Sequence, residues 1–332
     1  WQIDAYKFDI PMLAAPMDSV VSPDTAIEIG KLGGLGVLNL EGLWTRYEDP
    51  RIPLGEIASM PSKHATRRMQ EIYSAPIRPE LIKERIKTIR DSGVTVAASL
   101  SPQRTAELHK AVIESGVDIF VIRGTTVSAE HVGNDESVLN LKKFIYELDV
   151  PVIVGGVATL TGALHLMRAG AAGVLVGFGG GAAHTTREVL GIEVPMASAV
   201  AEVAAARREY LDESGGRYVH VIADGSVGRS GDIAKAIACG ADAVMMGSPL
   251  AKATQAPGLG WHWGSEAHHP ELPRGGRVNV GTVGSLEEIL LGPSRTADGS
   301  MNLFGALRRA MATSGYSDVK AFQRVEVIIH GA

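Results

Sequence analysis

Three segments of the chain carry chemically useful residues directly after a short apolar run. The first, residues 174–187, passes from Val-Leu-Val into a glycine-rich loop. The candidate residues are His184 and Thr186 in the first segment, Asp224, Gly225 and Ser226 in the second, and Gly247 and Ser248 in the third. Glycine lets backbone N–H groups approach an anion closely, serine adds a hydroxyl donor, and a carboxylate accepts hydrogen bonds from neighbouring hydroxyls. This pattern is typical of a site for a phosphorylated sugar.

A purely structural interpretation of these residues stays open on spacing alone. Glycine and serine also turn the chain without binding anything, and Asp224 could cap the turn of residues 225–230. Which interpretation holds depends on whether the elements that carry the three segments bring them to one place.

Eight short runs rich in valine, isoleucine, leucine and alanine recur along the chain. They lack the alternation of a half-exposed strand, which is typical of parallel strands buried on both faces. The predicted strands are residues 10–15, 35–40, 94–100, 118–123, 150–155, 173–178, 218–223 and 243–247. Helical spacing of apolar residues lies between most of them, in residues 25–32, 80–92, 103–115, 137–148, 160–169, 196–214 and 232–238.

The regular alternation of strand and helix predicts an α/β fold with one domain, a (β/α)8 barrel over residues 1–332, rather than a doubly wound sheet. Several helical stretches are followed by a glycine suited to end a helix, at positions 93, 116, 170 and 240. Active sites of such barrels lie at the C-terminal ends of the strands, often with phosphate bound after strands seven and eight. The second and third segments fall at those two places.

Two long segments, residues 41–79 and 252–300, do not fit the repeat and contain many prolines. We expect both to be irregular excursions on the C-terminal face of the barrel. The second contains His262, His268 and His269, which have no cysteine or acid at metal-ligand spacing. These histidines therefore predict a solvated loop and no metal site.

Composition excludes several classes of protein. The 332 residues carry a formal net charge of -5 and a pI near 6.1, so no basic face for nucleic acid is expected. No apolar stretch approaches the ~18 residues of a membrane span, and no leader opens the sequence, so we expect no membrane partner and a cytoplasmic protein. The single cysteine, Cys239, excludes an intrachain disulfide.

Because the chain starts at Trp1, we expect its N-terminus to be incomplete.

The motifs in combination resemble the IMP dehydrogenase / GMP reductase family. Residues 14–20 read AAPMDSV, residues 32–37 read LGGLGV and residues 281–286 read GTVGSL, which match the family's opening and base-reading segments. Together with the three loops, the resemblance covers nearly the whole chain. It implies a purine nucleoside 5'-monophosphate as ligand, NAD as cofactor and a side-by-side homotetramer. Residues 41–79 are too few for the CBS modules that many relatives insert there.

The resemblance implies a role for each matching residue. Nucleotide binding falls to Met17 against the purine, Asp224 on the ribose, Gly225, Ser226, Gly247 and Ser248 near the phosphate, and Val283 and Gly284 at the edge of the base. The remaining roles are catalysis at His184 and Thr186, the cofactor side at Arg123 and Gly124, and a monovalent cation at Gly179, Gly181 and His184.

Two departures from the family change the expected chemistry. His184 stands where the family has the cysteine whose thiolate adds to C2 of the purine, and imidazole is a poorer nucleophile and leaving group than thiolate. Arg123 stands where the family has an aspartate beside the nicotinamide, and its charge would repel the oxidised nicotinamide cation. Cys239 cannot replace the nucleophile, because it ends a helix on the opposite face of the barrel.

Other polar groups of the family are also missing. Val157, Leu175 and Ala182 stand where the resemblance predicts asparagine, arginine and serine. The Arg-Tyr pair of the family's mobile flap has no counterpart in residues 287–298. These losses all affect groups that hold the ligand or activate water.

Three interpretations remain open at this point. The chain could be an NAD-dependent oxidoreductase related to IMP dehydrogenase, or a catalytically inactive relative that binds a purine nucleotide or assembles with active enzymes. A barrel oxidoreductase that uses FMN is the weakest, because residues 16–18 and 281–286 fit the purine family better.

Overall fold

Eight parallel strands close into a barrel in chain order, and each overlaps one of the eight predicted runs. The computed structural model describes residues 1–124, 127, 139–178 and 180–328. The barrel strands are β1 Met12–Ala14, β2 Leu35–Asn39, β3 Ala97–Leu100, β4 Ile119–Arg123, β5 Val152–Val157, β6 Gly173–Val176, β7 His220–Asp224 and β8 Ala243–Met246. Strand β8 pairs with β1, with Val244 opposite Met12. The predicted (β/α)8 barrel is therefore confirmed.

Helices surround the barrel and cover its ends. Those of the described residues are α1 Pro23–Lys31, α2 Arg51–Ser59, α3 Ser62–Tyr73, α4 Pro79–Asp91, α5 Pro102–Glu114, α6 Leu141–Tyr146, α7 Leu160–Arg168, α8 Thr186–Leu190, α9 Met196–Glu213, α10 Ser230–Ala238, α11 Leu286–Leu290, α12 Leu303–Thr313 and α13 Val319–Phe322. Short antiparallel pairs join Gln2–Ile3 to Tyr6–Lys7 and Trp261–His262 to Val278–Asn279. In the described part of the chain, no helix has both the length and the apolarity needed to cross a bilayer.

Local signals set where the barrel helices begin and end. Ser22, Ser101 and Thr159 each accept a hydrogen bond from the backbone N–H three residues on, at the starts of α1, α5 and α7. The predicted helix-ending glycines have φ angles from 80° to 115°, a region that favours glycine, at Gly93, Gly116, Gly170 and Gly240. These short turns connect each helix to the next strand. Because the eight strands are parallel, their C-terminal ends all lie at the same face.

Residues 41–79 are not the irregular excursion that the sequence predicted. They form a 3-10 turn, Leu43–Thr45, followed by α2 and α3. The prolines permit this because each lies where a helix needs no N–H donor: Pro50 and Pro61 precede the two helices and Pro53 lies in a first turn. The excursion is thus a folded layer.

This layer packs against residues 261–268 of the second excursion. The two parts share a small hydrophobic core that is separate from the core of the barrel. We call them, residues 43–73 and 261–268 together, the lid. The buried members of its core are Leu43, Leu54, Ile57, Met69, Ile72, Tyr73, Trp263 and Ala267.

Hydrogen bonds tie the lid to the barrel through a buried tyrosine. Trp263 Nε1 donates to Tyr73 Oη at 2.9 Å, and Tyr73 Oη donates to Asp18 Oδ2 at 2.6 Å. The ring of His268 stacks on Tyr73 with centroids 3.4 Å apart. Burial raises the pKa of Asp18, and the hydrogen bond from Tyr73 opposes that rise. Asp18 follows β1, so this network holds the lid at the C-terminal face.

Candidate functional site

The loops after β6, β7 and β8 meet at the C-terminal face of the barrel. A Cβ atom on Gly180 would overlap Ser226 Oγ, and one on Gly181 would lie 3.3 Å from Ser248 Oγ. The backbone N–H of Ala182 donates to Ser248 Oγ at 3.0 Å. The structure therefore brings together the three segments that the sequence singled out.

The second loop has a backbone conformation that suits close contact. Gly225 and Ser226 both have positive φ angles, 91° and 56°. A Cβ on Gly225 would lie 3.0 Å from the backbone nitrogen of Gly180. Glycine at positions 180 and 225 lets the two loops approach each other through their main chains, the kind of close backbone packing that suits a small anion.

Asp224, the predicted ribose acceptor, forms an ion pair with Arg123. Arg123 Nε donates to Asp224 Oδ2 at 3.0 Å, and the two side chains are 22% and 12% exposed. Burial alone would lower the pKa of Arg123, but the charge of Asp224 raises it above its ordinary value. One carboxylate oxygen of Asp224 is thus engaged by the residue that replaces the cofactor-side aspartate of the family.

His184 has a carboxylate partner that the sequence analysis did not identify. His184 Nδ1 lies 3.1 Å from Glu266 Oε1, and the side chains are 16% and 10% exposed. Burial alone would raise the pKa of Glu266, but the hydrogen bond from His184 and the nearby positive charges hold it below its ordinary value. Glu266 is therefore a carboxylate that accepts from the imidazole.

His262 and His268 do not lie in a solvated loop, so that prediction is wrong for both. His262 is 1% exposed, its Nδ1 lies 2.9 Å from Ser19 Oγ, and its ring faces Gly247. Burial lowers the pKa of His262 to about 4 and that of His268 to about 3. The short strand Trp261–His262 and the small core of the lid pull both rings inward, whereas His269 is exposed as expected.

Of the other residues predicted to contact the nucleotide, Met17 borders the three loops, whereas Val283 and Gly284 have backbone groups engaged within the protein. Met17 is buried, and its Sδ would lie 3.1 Å from a Cβ on Gly247, so it borders the same loops. The backbone N–H of Val283 donates to the carbonyl of Lys252, and the carbonyl of Gly284 accepts from Thr254 N. Those two backbone groups are engaged within the protein, which limits what this segment offers to a base.

Thr186, at the predicted catalytic threonine position, begins α8. It is 3% exposed, and its Oγ1 has no hydrogen-bond partner among the described residues. Gly124, on the predicted cofactor side, exchanges backbone hydrogen bonds with Gly155 and Gly156 beside the end of β5. Gly124 thus extends the pairing between β4 and β5.

Of the positions predicted for a monovalent cation, Gly179 lies outside the described residues. The carbonyl of Gly181 accepts from His184 N at 3.1 Å, and the imidazole is turned toward Glu266. Across the described ranges, no three or more histidine, cysteine, aspartate or glutamate side chains are grouped to hold a metal ion.

Cys239 lies where the sequence placed it, at the C-terminal end of α10 and so at the opposite face of the barrel. Burial raises the pKa of its thiol. A thiol there reaches none of the loops described above, and its protonated state makes it a poor nucleophile.

The pKa of His262 predicts a pH dependence of stability. Because the unfolded chain takes up a proton near pH 6.5 and folded His262 does so only near pH 4, the free energy of unfolding should fall as the pH falls between those values. At pH 5 the shifted pKa of His262 lowers the free energy of unfolding by about 2 kcal/mol relative to its value at high pH. In urea titrations, His262→Gln should show a shallower pH profile than the unmodified protein. His269→Gln, an exposed control, should not, and parallel profiles for all three proteins would contradict the assignment.

Comparison with known proteins identifies the family. The model of the IMP dehydrogenase / GMP reductase domain matches residues 3–267. The chain belongs to that family. Two relatives along essentially its full length are uncharacterized oxidoreductases of Mycolicibacterium smegmatis, 53% identical over 99% of this chain and 90% of the relative, and of Mycobacterium tuberculosis, 52% identical over 100% and 90%.

Relatives with a named activity match over shorter stretches. Inosine-5'-monophosphate dehydrogenase of Methanocaldococcus jannaschii is 46% identical over 49% of this chain and 31% of that protein. Among solved structures, an IMP dehydrogenase/GMP reductase-like protein from Corynebacterium glutamicum superposes with a TM-score of 0.94, at 51% identity over 99% of this chain and 88% of the other. Family membership thus extends to the whole described barrel.

Proposed function

We propose that this oxidoreductase-family protein binds a purine nucleoside 5'-monophosphate of the IMP, XMP or GMP class without the cysteine-dependent reaction of the family. The convergence of the loops after β6, β7 and β8 carries the proposal. Gly180 lies against Ser226 of the loop after β7, and Gly181 lies against Ser248 of the loop after β8, so two hydroxyls border the glycine-rich loop. Such a cradle of glycines and hydroxyls suits a phosphate.

The loops after β6, β7 and β8 carry no cysteine, so the covalent addition that the resemblance implies has no thiolate nucleophile. His184 replaces the thiolate, and its imidazole is held by Glu266 at 3.1 Å. Cys239 lies at the other end of the barrel. An imidazole in this setting supports proton transfer rather than covalent addition to a purine.

Oxidised nicotinamide does not fit the described residues on the cofactor side. Where the resemblance places an aspartate beside the nicotinamide, this chain has Arg123 paired with Asp224, and the pair has no net negative charge to attract the oxidised nicotinamide cation. NAD is thus supported by the family resemblance alone.

The second candidate is a catalytically inactive relative that binds the nucleotide or assembles with active enzymes. The replacement of the thiolate favours it, because His184 is paired with Glu266 and Cys239 lies at the opposite face of the barrel. Turnover of a purine nucleotide in an activity assay would rule out the second candidate.

Nucleotide binding can be measured by calorimetry. We expect IMP, XMP or GMP to give saturable binding and inosine, which lacks the phosphate, to bind more weakly. Ser248→Ala should weaken nucleotide binding by about tenfold, because it removes one hydroxyl contact. Ser314→Ala, an exposed serine at the end of α12, serves as the matched control. The absence of saturable heat with all three nucleotides at millimolar concentration would rule the proposal out.

Family resemblance also predicts a homotetramer with barrels side by side. Light scattering at micromolar protein should therefore give about four times the 35.0 kDa of the chain. A single species at the mass of one chain would contradict this expectation.

A further inference from the structure

The pairing of His184 with Glu266 joins two elements that are far apart in the sequence. His184 lies in the glycine-rich loop after β6, and Glu266 lies in the 3-10 turn Ser265–His268 of the lid. Both side chains are nearly buried, and phosphate binding requires neither. Burying an ionised carboxylate costs free energy of desolvation unless a hydrogen-bonded partner compensates it. The partner of Glu266 is the imidazole of His184.

The contact determines which nitrogen of His184 carries a proton. Nδ1 of His184 lies 3.1 Å from Glu266 Oε1, and because an ionised carboxylate can only accept, Nδ1 is the nitrogen that donates. A neutral His184 then has its proton on Nδ1 and a free lone pair on Nε2. Glu266 thus selects one tautomer of the imidazole.

Nε2 of His184 lies on the side of the nucleotide-binding loops. A Cβ on Gly181 would lie 3.1 Å from His184 Cδ2 and 3.8 Å from Nε2, and the same point is 3.3 Å from Ser248 Oγ. The acceptor nitrogen is therefore next to the loop that the proposed phosphate cradle shares. A phosphate held by Ser248 and the glycine-rich loop would therefore lie on the same side of the loop as Nε2 of His184.

The charged groups near the pair leave the Glu266 carboxylate as the partner of His184. Arg123 is the other cation near Glu266, and it is already paired with Asp224. His262, with a pKa of about 4, is neutral at neutral pH. An imidazolium formed on His184 would therefore face the Glu266 carboxylate as its counter-ion.

We propose that His184 accepts the ring N–H proton of a bound purine base and that Glu266 is the positioning residue that holds its tautomer. In this step the N–H bond of the lactam breaks, its electron pair stays on the base, and a new N–H bond forms at Nε2. No oxidant or reductant takes part. The inference rests on the proposed function, because the proton donor is the base of the bound nucleotide.

Nitrogen NMR tests the pair directly. In protein labelled with 15N at histidine, long-range 1H–15N spectra should show His184 with hydrogen on Nδ1 and an unprotonated Nε2, with His184→Gln providing the assignment. Glu266→Gln should abolish the single tautomer. Glu271→Gln, an exposed acid of the same excursion, should leave it unchanged. Unchanged signals of His109 and His220, which lie on α5 and β7 and contact Thr105 and Trp1, establish that the variants remain folded.

Ligand titration completes the test. IMP should move the Nε2 signal toward the protonated form, and the 1-methyl derivative of IMP, which lacks the lactam proton, should not. A protonated Nε2 in the free protein would overturn the inference, as would an equal shift with both nucleotides. Calorimetric binding of IMP without any change at His184 would overturn the proton-transfer pair and leave nucleotide binding intact. No binding of either nucleotide would overturn both.

Discussion

A His184→Cys variant will not convert IMP with NAD at a steady rate. The substitution restores a thiol where the resemblance places the nucleophile, but the position that the resemblance assigns to an aspartate beside the nicotinamide still holds Arg123, which is paired with Asp224. The Arg-Tyr pair of the family's flap is also missing from residues 287–298, so the hydrolytic half of the reaction has no base. Each missing contribution costs roughly 10²–10⁴-fold in rate. One substitution therefore leaves most of the deficit in place.

The assay follows nicotinamide absorbance in a Cys239→Ser background, so that the introduced cysteine is the only thiol. A thiol-specific reagent should label His184→Cys, which shows that the side chain is present and accessible. The unmodified protein and Cys239→Ser are the matched controls. Steady turnover of IMP with NAD by the unmodified protein, lost on substitution of Asp224, would show that the family reaction proceeds by another route.

Asp224→Asn is expected to lower the free energy of unfolding by about 3 kcal/mol. The substitution removes the negative charge that faces Arg123 at 3.0 Å, and it leaves a largely buried guanidinium without that partner. Denaturation in urea, with two-state behaviour checked by two probes, measures the loss. Asp224 thus contributes to stability whether or not a ribose binds it.

A double-mutant cycle isolates the pair. Arg123→Gln combined with Asp224→Asn should cost less than the sum of the two single losses, because the double variant leaves no unpaired charge. Asp49→Asn, which breaks the exposed ion pair with Arg51, is the control and should change stability little. A cost for Asp224→Asn no greater than for this control would mean that the carboxylate is free to serve a ligand.

The barrel was predictable because its strands are buried on both faces. Such strands appear in the sequence as apolar runs. The end of a helix is indicated by a glycine, as at Gly93 and Gly240. The helices α2 and α3 differ from the expected irregular chain, because proline indicates a break only inside a helix and not at its start. Pro53 lies in a first turn, where proline fits a helix.

The contacts of the site were less predictable than its location. Strand ends indicated where Asp224 and Ser248 would lie, since strands of one barrel end at one face. The partners Arg123 and Glu266 could not be paired in advance, because Arg123 is 101 residues from Asp224 and Glu266 lies in an excursion without periodicity. Such a contact depends on how an irregular segment folds back, and local spacing carries no signal for it.

The shared core of the lid limits how loops could be exchanged between members of the family. Tyr73 and Trp263 are 190 residues apart in the chain, yet each completes the hydrogen bonding of the other. A chimera that received a relative's flap in place of residues 261–268 would expose the inner faces of α2 and α3 and leave Tyr73 without its indole donor. The two excursions therefore form one transferable unit, and grafting succeeds only when both are exchanged together.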